Sequence, residues 1–361
     1  MKISISKLSV LFIVAMFAVP VIAAVPVQGS EDTEEDINKF IPYYDQLDAN
    51  RKAIYDAVNS ADADTYEVTA VFPVSLTAGA DDPKDAVDYL KETIHGYIDD
   101  VFDVLRLSSP AAYWGWDPST IWSETDLTVS GRTATVTSVS LRVTFTKYPT
   151  DPDTGEFSGI GAMLDDLNAA LDGFHTDSES VRGKVMDINN YLTGLVTYDP
   201  NAWSENVSIY AHDAYGALVD PDHYAVCDGY SKAFLLLCER EGIECVIVLG
   251  TALPSMENHA WNYVRMDDDK WYAVDVTWND NGKGDNPYFL KGGDTFFSSH
   301  QQGVFLGTGK TPYPLNSPAI SSTGYDPDET APNYDMYGWI LGVAMVALLS
   351  FALYRFAKGN R

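Results

Sequence analysis

The sequence predicts an α+β chain in which helices and antiparallel hairpins occupy separate stretches rather than alternating. Three observations carry this. Residues 133–148 place Val139, Leu141, Val143 and Phe145 at every second position and follow 127–129 across Ser130-Gly131-Arg132, the pattern of a β-hairpin. Residues 233–238 are apolar all round, which marks a central buried helix ending at Gly242. Three strand-like segments then follow at 243–249, 259–265 and 271–278, the last two joined as a hairpin across residues 266–269.

The other elements follow from the same periodicities. Residues 1–24 combine Lys2 and Lys7 with an apolar stretch and the small pair Ala23-Ala24, the pattern of a secretory signal peptide. An accessory α/β region is expected over 31–155, with a helix at 48–58, a Val/Thr/Phe-rich strand at 66–76 and a longer helix at 83–105 opened by Pro83. That helix sets Ala86, Tyr89, Leu90, Ile94, Tyr97, Ile98, Phe102 and Leu105 at helical spacing, with one face expected buried. A turn-rich boundary at 149–155 leads into a second domain over 160–300, which starts with helical patterns at 160–174 and 180–195. Residues 307–335, rich in Pro, Ser, Thr, Gly and Asn, read as a stalk. Residues 337–356 carry no charge before Arg355 and are long enough for a transmembrane helix, leaving 357–361 as a tail. Arg355, Lys358 and Arg361 place that tail in the cytoplasm, so the expected location is a single-pass cell-membrane protein with its folded part outside.

Charge narrows the partners. The 23 Lys and Arg against 52 Asp and Glu give a formal net charge of -29, which repels nucleic acid. The expected partners are therefore a protein or peptide substrate and, through the C-terminal helix, the membrane. Cys227, Cys238 and Cys245 can form one intramolecular disulfide at most, so at least one thiol is left over. A Cys238–Cys245 pair across the helix-to-strand turn is one option.

Cys227 opens the buried helix, where unsatisfied backbone N–H groups and the positive end of the helix dipole favour a thiolate and lie where an oxyanion would form. If the 266–269 turn encloses a three-residue loop, His259 and Asp275 share one sheet face, directly opposite or one diagonal apart, with Cβ atoms within roughly 5 to 8 Å. Asp275 can then hold the His259 ring in one tautomer while the other nitrogen takes the Cys227 proton. Singly, the three residues read as a buried or disulfide-bonded cysteine, a core histidine and a strand-end hydrogen-bonder. Together they form a Cys–His–Asp triad.

The strings Cys227-Asp228-Gly229-Tyr230-Ser231-Lys232-Ala233-Phe234, Asn258-His259-Ala260-Trp261-Asn262 and Lys270-Trp271-Tyr272-Ala273-Val274-Asp275 resemble, in order, the blocks of the transglutaminase-like superfamily. The resemblance covers about residues 178–290 and implies a papain-like core, a central helix packed on an antiparallel sheet. It also implies Cys227 as nucleophile, His259 as general base and acid, and Asp275 as orienting carboxylate. Ser231 departs from the family's usual Ala. The side-chain oxyanion donor of relatives has no clear match, and Tyr198 and Trp203 are the candidates. Such a chain is expected to transfer acyl groups through a thioester, as peptidase, deamidase or transglutaminase. The alternative is a non-catalytic surface adhesion or scaffold module that retains the fold. No metal and no cofactor are expected: residues 151–156 and 279–282 are Asp/Asn/Gly turns that calcium could use, without a complete EF-hand. Asn206-Val207-Ser208 is an N-glycosylation acceptor.

Overall fold

The computed structural model describes residues 43–60, 67–108, 121–143, 160–303, 305–306 and 314–327. The first folded stretch pairs helices with a three-stranded sheet. Helix α1 (Ala49–Asn59) begins where the Asp48 side chain accepts from the amides of Asn50 and Arg51, and it buries Ile54, Tyr55 and Val58. Strand β1 (Glu67–Gly79) is followed by α2 (Pro83–Ser108), which starts on the predicted proline and buries the predicted apolar face except for the exposed Tyr89 and the half-buried Tyr97. Strands β2 (Ile121–Ser130) and β3 (Thr133–Val143) form the expected hairpin, in which Gly131 takes the left-handed φ of +60° that a tight turn needs. The sheet order is β1-β3-β2, all antiparallel.

Helices α3 (Ile160–Gly173) and α4 (Val181–Leu195) lie within one residue or so of their predicted limits, α4 capped by Ser180 Oγ accepting from the Gly183 amide. The short parallel pair β4 (Thr197–Tyr198) and β5 (Tyr224–Ala225) delivers the chain to α5 (Cys227–Arg240). Every residue of α5 from Cys227 to Cys238 is buried: 233–238 as its all-round apolarity requires, and Asp228 and Lys232 through ion pairs with His212 and Asp213; Gly242 leaves the helix at φ +70°. Strands β6 (Cys245–Ala252), β7 (Glu257–Arg265) and β8 (Trp271–Val274) follow, and β9 (His300–Gln302) pairs on the far edge, giving the order β8-β7-β6-β9. Between β8 and β9 stand two single-turn helices, α6 (Val276–Asn279) and α7 (Gly293–Phe296).

The four-stranded sheet is covered on both faces. Val264, Tyr272 and Val274 pack with α3, α4 and α5, whereas their neighbours Trp261, Tyr263, Trp271 and Ala273 share a core with α1, α2 and the three-stranded sheet. This two-residue alternation is what a sheet between two apolar layers dictates. The accessory region and the second domain are therefore parts of one compact unit ending at Tyr325. The Tyr43 hydroxyl joins them, donating to the Ile247 carbonyl at 3.1 Å.

Part of the expected 307–335 stalk is docked on the domain. Residue Ile320 bridges Trp271, and the Ser321 amide donates to the Trp271 carbonyl at 2.8 Å. Gln46 and Asn316 exchange two hydrogen bonds, and the Tyr325 hydroxyl donates to Asp267. A Cβ on Gly292 would stand 2.2 Å from the Thr323 carbonyl, so only glycine admits this approach. The expected signal peptide, transmembrane helix and cytoplasmic tail lie outside the described residues. Among the described residues no helix is long and apolar enough to cross a membrane.

Candidate active site

The β7–β8 turn decides the site's geometry. Arg265 pairs with Trp271, and the Met266 amide donates to the Lys270 carbonyl, leaving Asp267, Asp268 and Asp269 as a three-residue tip. This odd loop is the condition for placing His259 and Asp275 on one face, in the diagonal arrangement. The expected strand at 271–278 stops early, however. Pairing ends at Val274, and Asp275 becomes the N-cap of α6, its Oδ1 accepting from the Trp278 amide at 3.0 Å. The cap leaves Oδ2 free to turn toward the sheet, where it accepts from Nε2 of His259 at 2.8 Å.

Cys227 reaches the same point from α5. The proximity of its side chain is among the causes that raise the His259 pKa, and with Nε2 committed to Asp275 the remaining ring nitrogen is Nδ1. Val226, the residue before the helix, offers no side-chain cap; the Gly229 amide donates to Asp228 Oδ1 at 3.2 Å, which leaves the Cys227 and Asp228 amides to a ligand. Cys227 is 8 % exposed, His259 6 % and Asp275 0 %, a gradient from a reachable sulfur to a sealed carboxylate.

Electrostatics follow from that gradient. Burial alone would depress the His259 pKa, but the charge and hydrogen bond of Asp275 and the contact with Cys227 override it and lift the imidazole to about 10. Burial likewise works to raise Asp275, and the charge and hydrogen bond of His259, with those of His300, hold it down at about 2. The pair is thus an imidazolium-stabilising one. Trp278 lies over the His259 ring at 5.1 Å and 28°, shielding it from solvent.

The two oxyanion candidates part company. Tyr198 pairs with Ala225, two residues before Cys227, and its phenol is held well above the usual tyrosine range by burial and by the nearby Cys227 and Asp228 charges. It remains a proton donor at any physiological pH. Trp203 is 76 % exposed on a turn and joins no described contact with the triad. Asn206 is exposed on the same turn. Cys238 and Cys245 are free thiols, not a disulfide.

His300 is the site residue that the sequence reading misses. Its Nε2 lies 3.0 Å from the same Asp275 oxygen that His259 uses. Among the described residues, His259, Asp275 and His300 are the group whose donor atoms, within 4.8 Å of one another, could hold a metal ion. Both imidazole N–H groups are spent on Asp275, so the cluster is satisfied as hydrogen bonds. Of the calcium candidates, 151–156 lies outside the described residues. In 279–282, Asn279 is 2 % exposed and uses its amide on Asn189 and the Tyr288 backbone, while Asp280 accepts from Tyr230.

Residues 167–276 match the transglutaminase-like superfamily. The match spans α5 and all three residues of the predicted triad, and it ends before His300. Among solved structures, one described as a TGase is 20% identical at a TM-score of 0.29, covering 43% of this chain and 45% of that one. Another, from Cytophaga hutchinsonii and described provisionally as a cysteine protease, is 16% identical at a TM-score of 0.25, covering 42% of this chain and 55% of that one. The matched stretch thus spans about half the length of either. No curated protein matches the chain.

Proposed function

We propose that this chain is a cysteine-dependent acyl transferase or amide hydrolase acting on protein or peptide amides outside the cytoplasmic membrane, held there by residues 337–356. The observation that carries the reading is a histidine whose Nε2 rests 2.8 Å from a sealed carboxylate and whose charge is felt by the Cys227 thiol at the start of a buried helix. His259 Nδ1 takes the Cys227 proton, and the thiolate attacks the amide carbonyl carbon. The Cys227 backbone N–H and the Tyr198 hydroxyl are suited to the oxyanion of the tetrahedral adduct. His259 returns the proton to the departing amine as the carbon–nitrogen bond breaks, leaving a thioester. Water or a second amine then loses a proton to His259, attacks the thioester and releases Cys227. Hydrolysis is the outcome with water, and cross-linking the outcome with a lysine amine.

The test is mass spectrometry of the purified protein incubated with a peptide library and a primary amine. Cleavage, deamidation and amine incorporation give three different mass shifts. Any of them, lost in Cys227→Ala, supports the reading; none above the Cys227→Ala background points instead to the scaffold alternative.

A further inference from the structure

Asp275 holds more donors than a three-residue relay requires. Its Oδ2 accepts from His259 at 2.8 Å and from His300 at 3.0 Å, while Oδ1 is occupied by the Trp278 amide at 3.0 Å. His300 is 1 % exposed. Its ring stacks on Phe296 at 3.9 Å and 11°, with Trp278 at 4.5 Å and Trp261 at 5.1 Å, so its plane is fixed by aromatic walls. Nδ1 lies 2.9 Å from Ser299 Oγ. The titratable groups that face it are Asp275, His259 at 5.5 Å between ring centres, and Tyr288 at 5.4 Å.

These contacts fix a proton on Nε2. A carboxylate oxygen only accepts, so both histidines donate Nε2–H to it. With Nε2 donating to Asp275, the other ring nitrogen of His300 stands against the Ser299 hydroxyl, so the ring is held at both ends. A carboxylate that served one imidazole alone would grip that imidazole's proton more tightly than one whose charge is shared with a second donor.

We propose that His300 is a positioning residue for the reaction above: a second donor that fixes the Asp275 carboxylate and shares its charge, so that His259 is aligned yet still gives its proton to the leaving amine. The inference rests on the Cys227–His259–Asp275 reading. Two measurements on the full chain separate their fates. The first is the rate of Cys227 alkylation by iodoacetamide against pH, with kcat and KM on an amide substrate alongside. His259→Ala should abolish the thiolate–imidazolium plateau; an unchanged profile would sink the triad and, with it, this inference. His300→Phe keeps the aromatic filling but loses the donor. It should move the alkaline limb, where His259 loses its proton, upward by roughly half a pH unit or more. It should also lower kcat on the order of tenfold with KM little changed. His300→Gln, whose side-chain amide can donate to Oδ2, should restore both. An unmoved limb in His300→Phe, with the plateau still dependent on His259, overturns the proposal and leaves the triad standing. The second measurement needs no variant to fold: ¹⁵N NMR of the wild-type rings should show a proton on the His300 Nε2, hydrogen-bonded to Asp275. A ring that carries no proton on Nε2 overturns it.

Discussion

The two ends of α5 hold the same side chain under opposite conditions. At the N-terminus Cys227 meets the helix's open amides, an imidazole and a narrow exposure to solvent. Eleven residues on, Cys238 is fully buried, and burial, followed by the neighbouring Cys245 thiol and nearby Glu side chains, pushes its pKa well up. On the proposed reading, one helix makes one sulfur a nucleophile and the other a core atom. Position in the field of the fold, not residue type, separates them.

The sharpest way to break that comparison is to truncate each end. Cys227→Ala should reduce turnover at least about a thousandfold, whereas Cys238→Ala should leave kcat within about twofold. Equal losses would mean that the helix matters only as scaffold. Alkylation of the native protein reads the same contrast directly: Cys227 should react with iodoacetamide roughly a hundredfold faster than Cys238, with the half-buried Cys245 between them. Comparable rates at both ends would remove the basis for assigning Cys227 a role. Asp275→Asn keeps the cap shape and removes the charge, and a loss of about a hundredfold in kcat is expected, within the usual range for acid–base partners. Full activity in that variant would make Asp275 structural. At the buried end, Cys238→Ala should cost about 1 to 3 kcal/mol by urea denaturation, the ordinary consequence of a small core cavity.

A pH titration of stability gives the smallest and most specific signal. His259 is raised from 6.5 to about 10, so its contribution is complete below pH 6.5 and fades as pH rises through 10. Asp275 is lowered from 3.8 to about 2, so its contribution is complete above pH 3.8 and fades as pH falls through 2. The stability difference between wild type and Asp275→Asn should therefore be widest between about pH 4 and 6.5. A difference that does not vary with pH would mean that the pair is not charged as described.

Much of this was legible because local periodicity encodes it. The α2 face, the helical pattern of α4 and the all-apolar run 233–238 of α5 each lie within one stretch of chain, and strand parity, on the condition of a three-residue loop, put His259 beside Asp275. What escaped depends on contacts between distant segments. His300 reaches the site only because β9 pairs with β6, opposite Ala252, and a three-residue strand after two irregular helical turns leaves no periodic trace. Its one hint was a buried-type polar residue placed after Phe296 and Phe297. The early end of β8 was hidden for another reason: Asp275 serves as helix cap and triad carboxylate at once, and the apolar pattern runs on through Val276 and Trp278. Trp203 fitted the chemistry of an oxyanion donor, but its turn faces solvent.

The docked segment at 314–325 also sets where the gene can be cut. Composition alone would end a soluble fragment near residue 306, yet such a fragment would strip Gln46 of Asn316 and leave the Trp271 carbonyl and the Gly293 and Asp294 amides without the partners they find at 321 and 322. Trp271 is four residues from Asp275, so fraying at that edge would reach the catalytic cap. A fragment carried through Tyr325 keeps the edge closed, and it is the shorter one, not the longer, that should express as the aggregating species.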